Sequence, residues 1–218
     1  MSVQDPASAT PPGSRVGSLR LRMMRLEDAP AAAAIERASF SEGWPLTAFE
    51  RELSLNPAAR YVALEGAAPP GSHALEREVV GFAGLWLMLD EAHVVSVAVA
   101  EQHRGRGLGR LLVHGLVDVA YQHKMSVATL ECRESNVAAR SLYREYGFYE
   151  VGVRKRYYAD THEDAIIMTT EELDSPAYRE RYARLAASLA ARLPGVSLHV
   201  RQGARIKGNR SPGWLQGR

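Results

Sequence analysis

"HRGRGLGR", residues 103–110, decides the reading of this chain. One apolar run ends just before it and another, with helical spacing, begins inside it. A simple turn needs one glycine; here Gly105, Gly107 and Gly109 alternate with Arg104, Arg106, Leu108 and Arg110. A helix N-terminus carries unpaired N–H groups and a partial positive charge. A preceding loop without side chains can turn its own N–H groups inward and form a concave anion site. The glycines permit close approach and the arginines add full charge. The junction therefore reads as a pyrophosphate cradle, with a basic surface turn as the alternative from spacing alone. No Gly-Lys-Ser or Gly-Lys-Thr occurs, which excludes a P-loop, and no early strand leads into a dinucleotide fingerprint.

Working outward, "AHVVSVAVA" (92–100) and "EVVGFAGLWLML" (78–89) are β-rich runs that fit adjacent strands. "RYVALE" (60–65) is a further strand. "SLRLRMMR" (18–25) alternates Leu19, Leu21 and Met23 with Arg20 and Arg22, a half-buried strand. Two helices separate these: "EDAPAAAAIERASF" (27–40), capped by Asp28 with Pro30 in its first turn, and "PLTAFEREL" (45–53). "GAAPPGSHALER" (66–77) reads as a long polar loop. After the glycines, Leu108, Leu111, Leu112, Leu116, Val119 and Ala120 recur at helical spacing. "SVATLEC" (126–132) is the next strand. "SNVAARSLYREYG" (135–147) is a helix capped by Ser135 or Asn136 and ended by Gly147 in the left-handed conformation. "FYEVGVRKRYY" (148–158) and "DAIIMTT" (164–170) complete the set. The order β-α-α-β-β-β-α-β-α-β-β is that of one α/β unit. Residues 18–170 form this domain. An appended helix over 171–196 starts at Ser175 and Pro176 and carries the stripe Tyr178, Tyr182, Leu185, Leu189, Leu193. Residues 1–17 are expected to be a disordered lead, and 197–218, with five Lys or Arg and no acid, a basic flexible tail.

The totals narrow the class. A chain of 218 residues with 46% hydrophobic content can bury a sizeable core, and a net charge of +2 does not mark a nucleic-acid binder. The lone Cys132 excludes an internal disulfide and fits a reducing compartment. No apolar run spans a membrane, and the N-terminus lacks the apolar core of a signal peptide, so a soluble, cytoplasmic protein without membrane contact is expected. The seven histidines form no metal pattern, and no metal is expected. His93 and His103, which flank the strand before the glycines, read as surface or loop positions.

Three side chains are singled out on their own chemistry. Glu131 ends an otherwise apolar strand, where desolvation raises a carboxyl pKa and suits it to act as a base; pairing with Arg133 or solvent is the alternative. Tyr143 lies two turns after Asn136 on one helix face and is either a proton donor or a core tyrosine beside Leu142 and Tyr146. Cys132 points to the opposite strand face from Glu131, with no histidine at nucleophile spacing.

"RGRGLG" after "VSVAV" has the Arg/Gln-x-x-Gly-x-Gly/Ala pattern and resembles the GNAT acetyltransferases. More narrowly, "LECRESNVAARSLYREYGFYEVGVRKRYY" followed by "EDAIIM" resembles the bacterial ribosomal-protein-alanine N-acetyltransferases. The resemblance covers Leu19 to Thr170 and is densest from Val94 to Met168. It implies the GNAT fold: a mixed, mostly antiparallel central sheet flanked by helices, here with a C-terminal helical extension. It implies acetyl-CoA as co-substrate, its pyrophosphate on Arg104, Gly105, Arg106, Gly107, Leu108, Gly109 and Arg110. The backbone of Val97, Ala98 and Val99 would bind acetyl-CoA and polarise its carbonyl, and Asn136 would contact it. Glu131 becomes the proton acceptor and Tyr143 the proton donor. Glu42 and Trp44, near Phe40, would border the acceptor groove, with Tyr157 and Tyr158 on the opposite wall. The implied reaction is acetylation of the N-terminal alanine of a small-subunit ribosomal protein. The alternatives are a lysine or small-molecule amine acceptor, and a non-catalytic acetyl-CoA-binding regulatory module. The basic tail, with Trp214 between Arg210 and Arg218, is compatible with a weak RNA contact.

Overall fold

The computed structural model describes residues 19–41, 43–67 and 77–200. The elements are β1 (Arg20–Met23), α1 (Ala29–Ser39), α2 (Leu46–Leu55), β2 (Ala59–Ala67), β3 (Arg77–Met88), β4 (Glu91–Val99), α3 (Leu108–Gln122), β5 (Val127–Arg133), α4 (Val137–Glu145), β6 (Phe148–Tyr158), β7 (Glu163–Thr170) and α5 (Pro176–Arg192). The strands form one seven-stranded sheet in the order β1-β2-β3-β4-β5-β7-β6. Every neighbouring pair is antiparallel except β4 and β5, which α3 connects in parallel. The polar loop expected over 66–77 is shorter at both ends, because Gly66 and Ala67 belong to β2 and Arg77 to β3. Its interior, the expected N-terminal lead and the tail beyond Val200 lie outside the described residues.

Two apolar clusters cover the two faces of the sheet. Leu111, Leu112, Leu116, Leu130 and Met168 pack between the sheet and α3. Phe49, Tyr61 and Phe82 pack under α1 and α2, with Phe49 edge-on to Phe82 at 5.2 Å between centroids. The Tyr61 ring lies over Gly84, where an added Cβ would stand 2.2 Å from the ring, so only glycine fits that strand position.

Three sequence expectations are corrected. Asp28 does not cap α1 through its side chain. It is buried, and a buried carboxylate needs charged partners; it accepts from Arg22 at 2.6 and 2.8 Å and from the Arg25 N–H at 2.7 Å. The C-terminal helix is not an appendage. α5 covers α3, with the Tyr178 and Tyr182 rings 6.2 and 5.1 Å from the Tyr121 ring. Tyr178, Leu189 and Leu193 join the cluster around it. Residues 197–200 are not a loose tail either. Val200 is buried, its N–H donates to Asp118 at 2.7 Å and its carbonyl accepts from Gln122 at 2.9 Å.

This packing leaves polar atoms unpaired, the Tyr178 and Tyr182 hydroxyls among them. His114 on α3 is fully buried, stacked on Tyr182 at 4.4 Å, and neither ring nitrogen has a hydrogen-bond partner. Burial pushes its pKa down to about 4; Asp118 opposes that shift and His199 adds to it. The folded state then resists protonation while the unfolded chain does not. Stability is fully present above the unfolded value of 6.5 and is lost as pH falls towards 4, by roughly 3 kcal/mol over the whole window. Thermal melts between pH 7 and pH 4 should show this loss, and a His114→Phe variant should be flatter over the same range.

Candidate active site

β4 carries one extra residue. Gly84 of β3 faces Ser96 and Leu85 faces Val94, which leaves Val95 as a bulge. The alternation shifts phase there. Before it, Ala92 faces the α3 side; after it, Val97 and Val99 face that side and Ala98 the other. The bulge also turns β4 away from β5. Their parallel pairing holds only from Glu91–Val127 to Val94–Leu130, while β3 pairs β4 on to Val99 and β7 pairs β5 on to Arg133. The sheet therefore opens into a wedge between Val95–Val99 and Glu131–Arg133, inside which the two strands no longer pair with each other.

The glycine junction sits at the mouth of this wedge. Gly105 and Gly107 have φ of 74° and 78°, in the left-handed region, and an added Cβ at either would find no atom within 4 Å. Gly107 is the N-cap of α3. Gly109 differs: it lies in the first helical turn, where an added Cβ would stand 3.4 Å from Leu142 of α4. The arginines bring less free charge than the sequence suggests. Arg104 donates to the Val99 carbonyl at 3.0 Å and to Ser39 at 2.8 Å. Arg110 grips Glu145 of α4 with two bonds of 2.7 and 2.6 Å and holds that carboxyl below its usual range. Arg106 is exposed beside His103. What remains is an open concavity at a helix N-terminus beside the exposed Arg106 guanidinium, 3.1 Å from His103 Nδ1, which suits phosphate oxygens.

Glu131 lies across the wedge on β5, its side chain 10% exposed. The alternation of β5 turns Ala128, Leu130 and Cys132 into the core and Glu131 to the α1–α2 side. Burial pushes the Cys132 thiol up to about 11, so it stays an inert thiol. The expected partner Arg133 is engaged elsewhere, with Asp160 and Glu163. Glu131 instead meets Arg154 of β6 at 3.0 Å and His93 Nε2 at 3.2 Å. His93 is thus not a surface or loop residue. It was missed because the sequence gives no register, and only the parallel pairing of His93 with Thr129 brings it beside Glu131.

Asn136 caps α4, accepting from the Ala139 N–H at 3.0 Å, which leaves its amide nitrogen outward. Tyr143 is buried against Phe148, and burial pushes its phenol pKa well up, so the hydroxyl stays protonated. Trp44 meets Phe49 in a tilted arrangement, 5.9 Å between centroids, and lines a groove of about 570 Å³ with Glu52 and Trp86. Trp86 in turn lies 6.4 Å from the His93 ring. Tyr157 and Tyr158 meet edge-to-face, with the Arg133 guanidinium 3.9 Å over Tyr158. Ser41 donates to Asp160, which ties the segment after α1 to the β6–β7 turn. Glu42 lies outside the described residues.

A bulged fourth strand, a wedge beside it and a glycine cradle at its end are one architecture, and residues 29–148 match the Acetyltransferase (GNAT) family. The chain belongs to the GNAT acetyltransferase family. Enzymes of this family are N-acetyltransferases that use acetyl-CoA. The chain is 35% identical over 150 residues to the ribosomal protein bS18-alanine N-acetyltransferase of Salmonella typhimurium, covering 68% of this chain and 94% of the relative. It is 37% identical over 153 residues to the N-alpha-acetyltransferase RimI of Mycobacterium tuberculosis, covering 67% and 89%. The crystal structure of the ribosomal-protein-S18-alanine N-acetyltransferase from Escherichia coli superposes with a TM-score of 0.60 at 30% identity, covering 70% of this chain and 92% of that one. All of α5, Pro176–Arg192, lies beyond residues 29–148, the extent of the family match. Among the described residues of this GNAT chain, no helix is long and apolar enough to cross a membrane.

Proposed function

We propose that this acetyltransferase moves the acetyl group of acetyl-CoA onto the α-amino group of a protein N-terminal alanine, with a small-subunit ribosomal protein as acceptor. The observation that carries this reading is the wedge itself: Glu131 stands on one lip, the glycine cradle at its mouth, and the Ser41–Asp160 contact joins the two acceptor walls on the same face. The names of the relatives supply the acceptor class. In this reading the backbone of Val97, Ala98 and Val99 lies along the donor, and the cradle from Arg104 to Arg110 holds its pyrophosphate. Asn136 contacts the donor from α4. Glu131 takes a proton from the acceptor amine, and Tyr143 protonates the departing thiolate. The C–S bond breaks as the N–C bond forms; starting from the ammonium, the nitrogen loses two protons, one released to solvent and one that balances the proton Tyr143 gives the thiolate and regains from solvent. Trp44, Tyr157 and Tyr158, with Glu42, border the acceptor. A ribosomal acceptor assigns the reaction to the cytoplasm. The RNA contact considered for the basic tail falls on residues 201–218, outside the described residues, and is not carried into this proposal.

The acid–base chemistry favours an α-amine. A peptide N-terminus, with pKa of about 7.7–8.0, is partly neutral near pH 7, whereas a lysine amine at about 10.4 is not. A peptide beginning with alanine should be acetylated more than about tenfold faster than the same peptide with that amine blocked and a lysine retained, a ratio well inside the difference in free-amine fraction. A thiol-release assay on the two peptides decides the matter, and preference for the blocked peptide would move the protein to lysine acetylation.

A further inference from the structure

His93 lies against Glu131, and its other nitrogen is held just as firmly. Thr129 Oγ1 is 2.9 Å from His93 Nδ1, and the Thr129 hydroxyl also makes a short contact with the Glu91 carboxylate. An ionised carboxylate only accepts hydrogen bonds, so the Thr129 proton goes to Glu91. Thr129 Oγ1 can then only accept from His93, and Nδ1 carries the ring hydrogen. In the neutral ring, Nε2 is therefore the bare, basic nitrogen, and it faces Glu131 Oε2 at 3.2 Å. A proton that reaches Oε2 therefore has a free acceptor within hydrogen-bond distance. The charged groups that face His93 are Glu91 on its own strand at 3.6 Å and Glu131 on β5, the latter also paired with Arg154 of β6; from β3 it meets only Trp86.

We propose that His93 is the terminal proton site of the base: Glu131 takes the proton of the acceptor amine and passes it to His93 Nε2, in a tautomer fixed by Thr129 and Glu91. The amine N–H bond breaks, the proton crosses Oε2 to Nε2, and Glu131 is left as a carboxylate. The imidazolium then stands between two carboxylates and returns its proton to solvent from a ring 22% exposed. Glu131 is thereby relieved of holding the proton beside Arg154. His93 acts through Glu131 and is a positioning residue.

This inference rests on Glu131 being the base, and its test separates the two. Steady-state rates with an alanine-initiated peptide are measured from pH 6 to 9 for the full chain and for His93→Gln, Thr129→Val and Glu131→Gln, with acetyl-CoA binding by calorimetry as a control for folding. His93→Gln keeps a polar contact to Glu131 but cannot take a proton. It should lower kcat on the order of tenfold, less than the 10²–10⁴-fold range of a general base itself. It should leave acetyl-CoA affinity within about twofold and flatten the acid limb of the profile. Thr129→Val, which frees the tautomer, should move the profile the same way. Nitrogen NMR of labelled histidine reads the tautomer without turnover: Nδ1–H in the parent at high pH, a mixture in Thr129→Val. If Glu131→Gln is slow while His93→Gln keeps the parent kcat and profile, the His93 role is overturned and the Glu131 role stands. An Nε2–H tautomer in the parent at high pH overturns it as well. If Glu131→Gln is fully active, the base itself is misassigned.

Discussion

Glu131→Gln should lose acetyl transfer by about 10²-fold or more while binding acetyl-CoA as the parent does. The glutamine has almost the same shape and can still meet Arg154 and His93, so the wedge should keep its form. What it loses is the capacity to accept a proton. The deficit should shrink as pH rises from 6 to 9, because an α-amine with pKa of about 7.7–8.0 deprotonates unaided over that range. A structural role alone would give a deficit independent of pH. Equal activity of the two proteins across the range would remove Glu131 from the mechanism.

The second large effect is at Gly107. Replacement by alanine should fold, at a cost of about 1–2 kcal/mol for a side chain in the left-handed region, since the structure has no atom within 4 Å of the new Cβ. If the cradle holds the pyrophosphate as proposed, acetyl-CoA affinity should nevertheless fall on the order of 10²-fold, because the new methyl group would stand where phosphate oxygens approach the helix N-terminus. Hydrogen bonds to charged groups contribute about 1.5–3 kcal/mol each, so the loss of one or two of them accounts for that factor. Calorimetry measures the affinity, and the thermal shift induced by acetyl-CoA should shrink in parallel. Gly109→Ala is the internal comparison: its Cβ would only touch Leu142, so its effect should be small. A parent protein that shows neither heat nor thermal shift with acetyl-CoA would refute the cradle.

Much of the architecture was readable because it is written locally. Alternation around Leu19 and Leu21, the helical spacing from Leu108 to Ala120, and Pro176 after Ser175 each report on a few neighbouring residues, and the elements stand where those signals put them. The cap at Asn136 and the left-handed Gly147 are equally local. What the sequence withheld depends on pairing between distant strands. Val95 looks like any apolar strand residue; it is a bulge only because Gly84 and Leu85 face Ser96 and Val94. His93 meets Glu131 through a register that no periodicity encodes. The free charge of Arg104 and Arg110 was overestimated for the same reason, since Ser39 and Glu145 come from far along the chain. The C-terminal helix looked detachable because its stripe is narrow. His114 and Tyr121 of α3, which meet Tyr182 and Tyr178, were the signal that it needs a cover.

The four-residue pairing of β4 with β5 has a consequence for the free enzyme. Strand edges normally occur only at the borders of a sheet, where proteins guard them against pairing with other chains. Here two edges face each other in the middle: β4 beyond Val94 and β5 beyond Leu130 each have a neighbour on one side only. Apart from the Val99 carbonyl, which accepts from Arg104, the hydrogen-bonding capacity of those edges is not used between the two strands. In the proposed reading, the peptide groups that would otherwise invite a stray strand are the ones that acetyl-CoA would use, so the donor would also guard them.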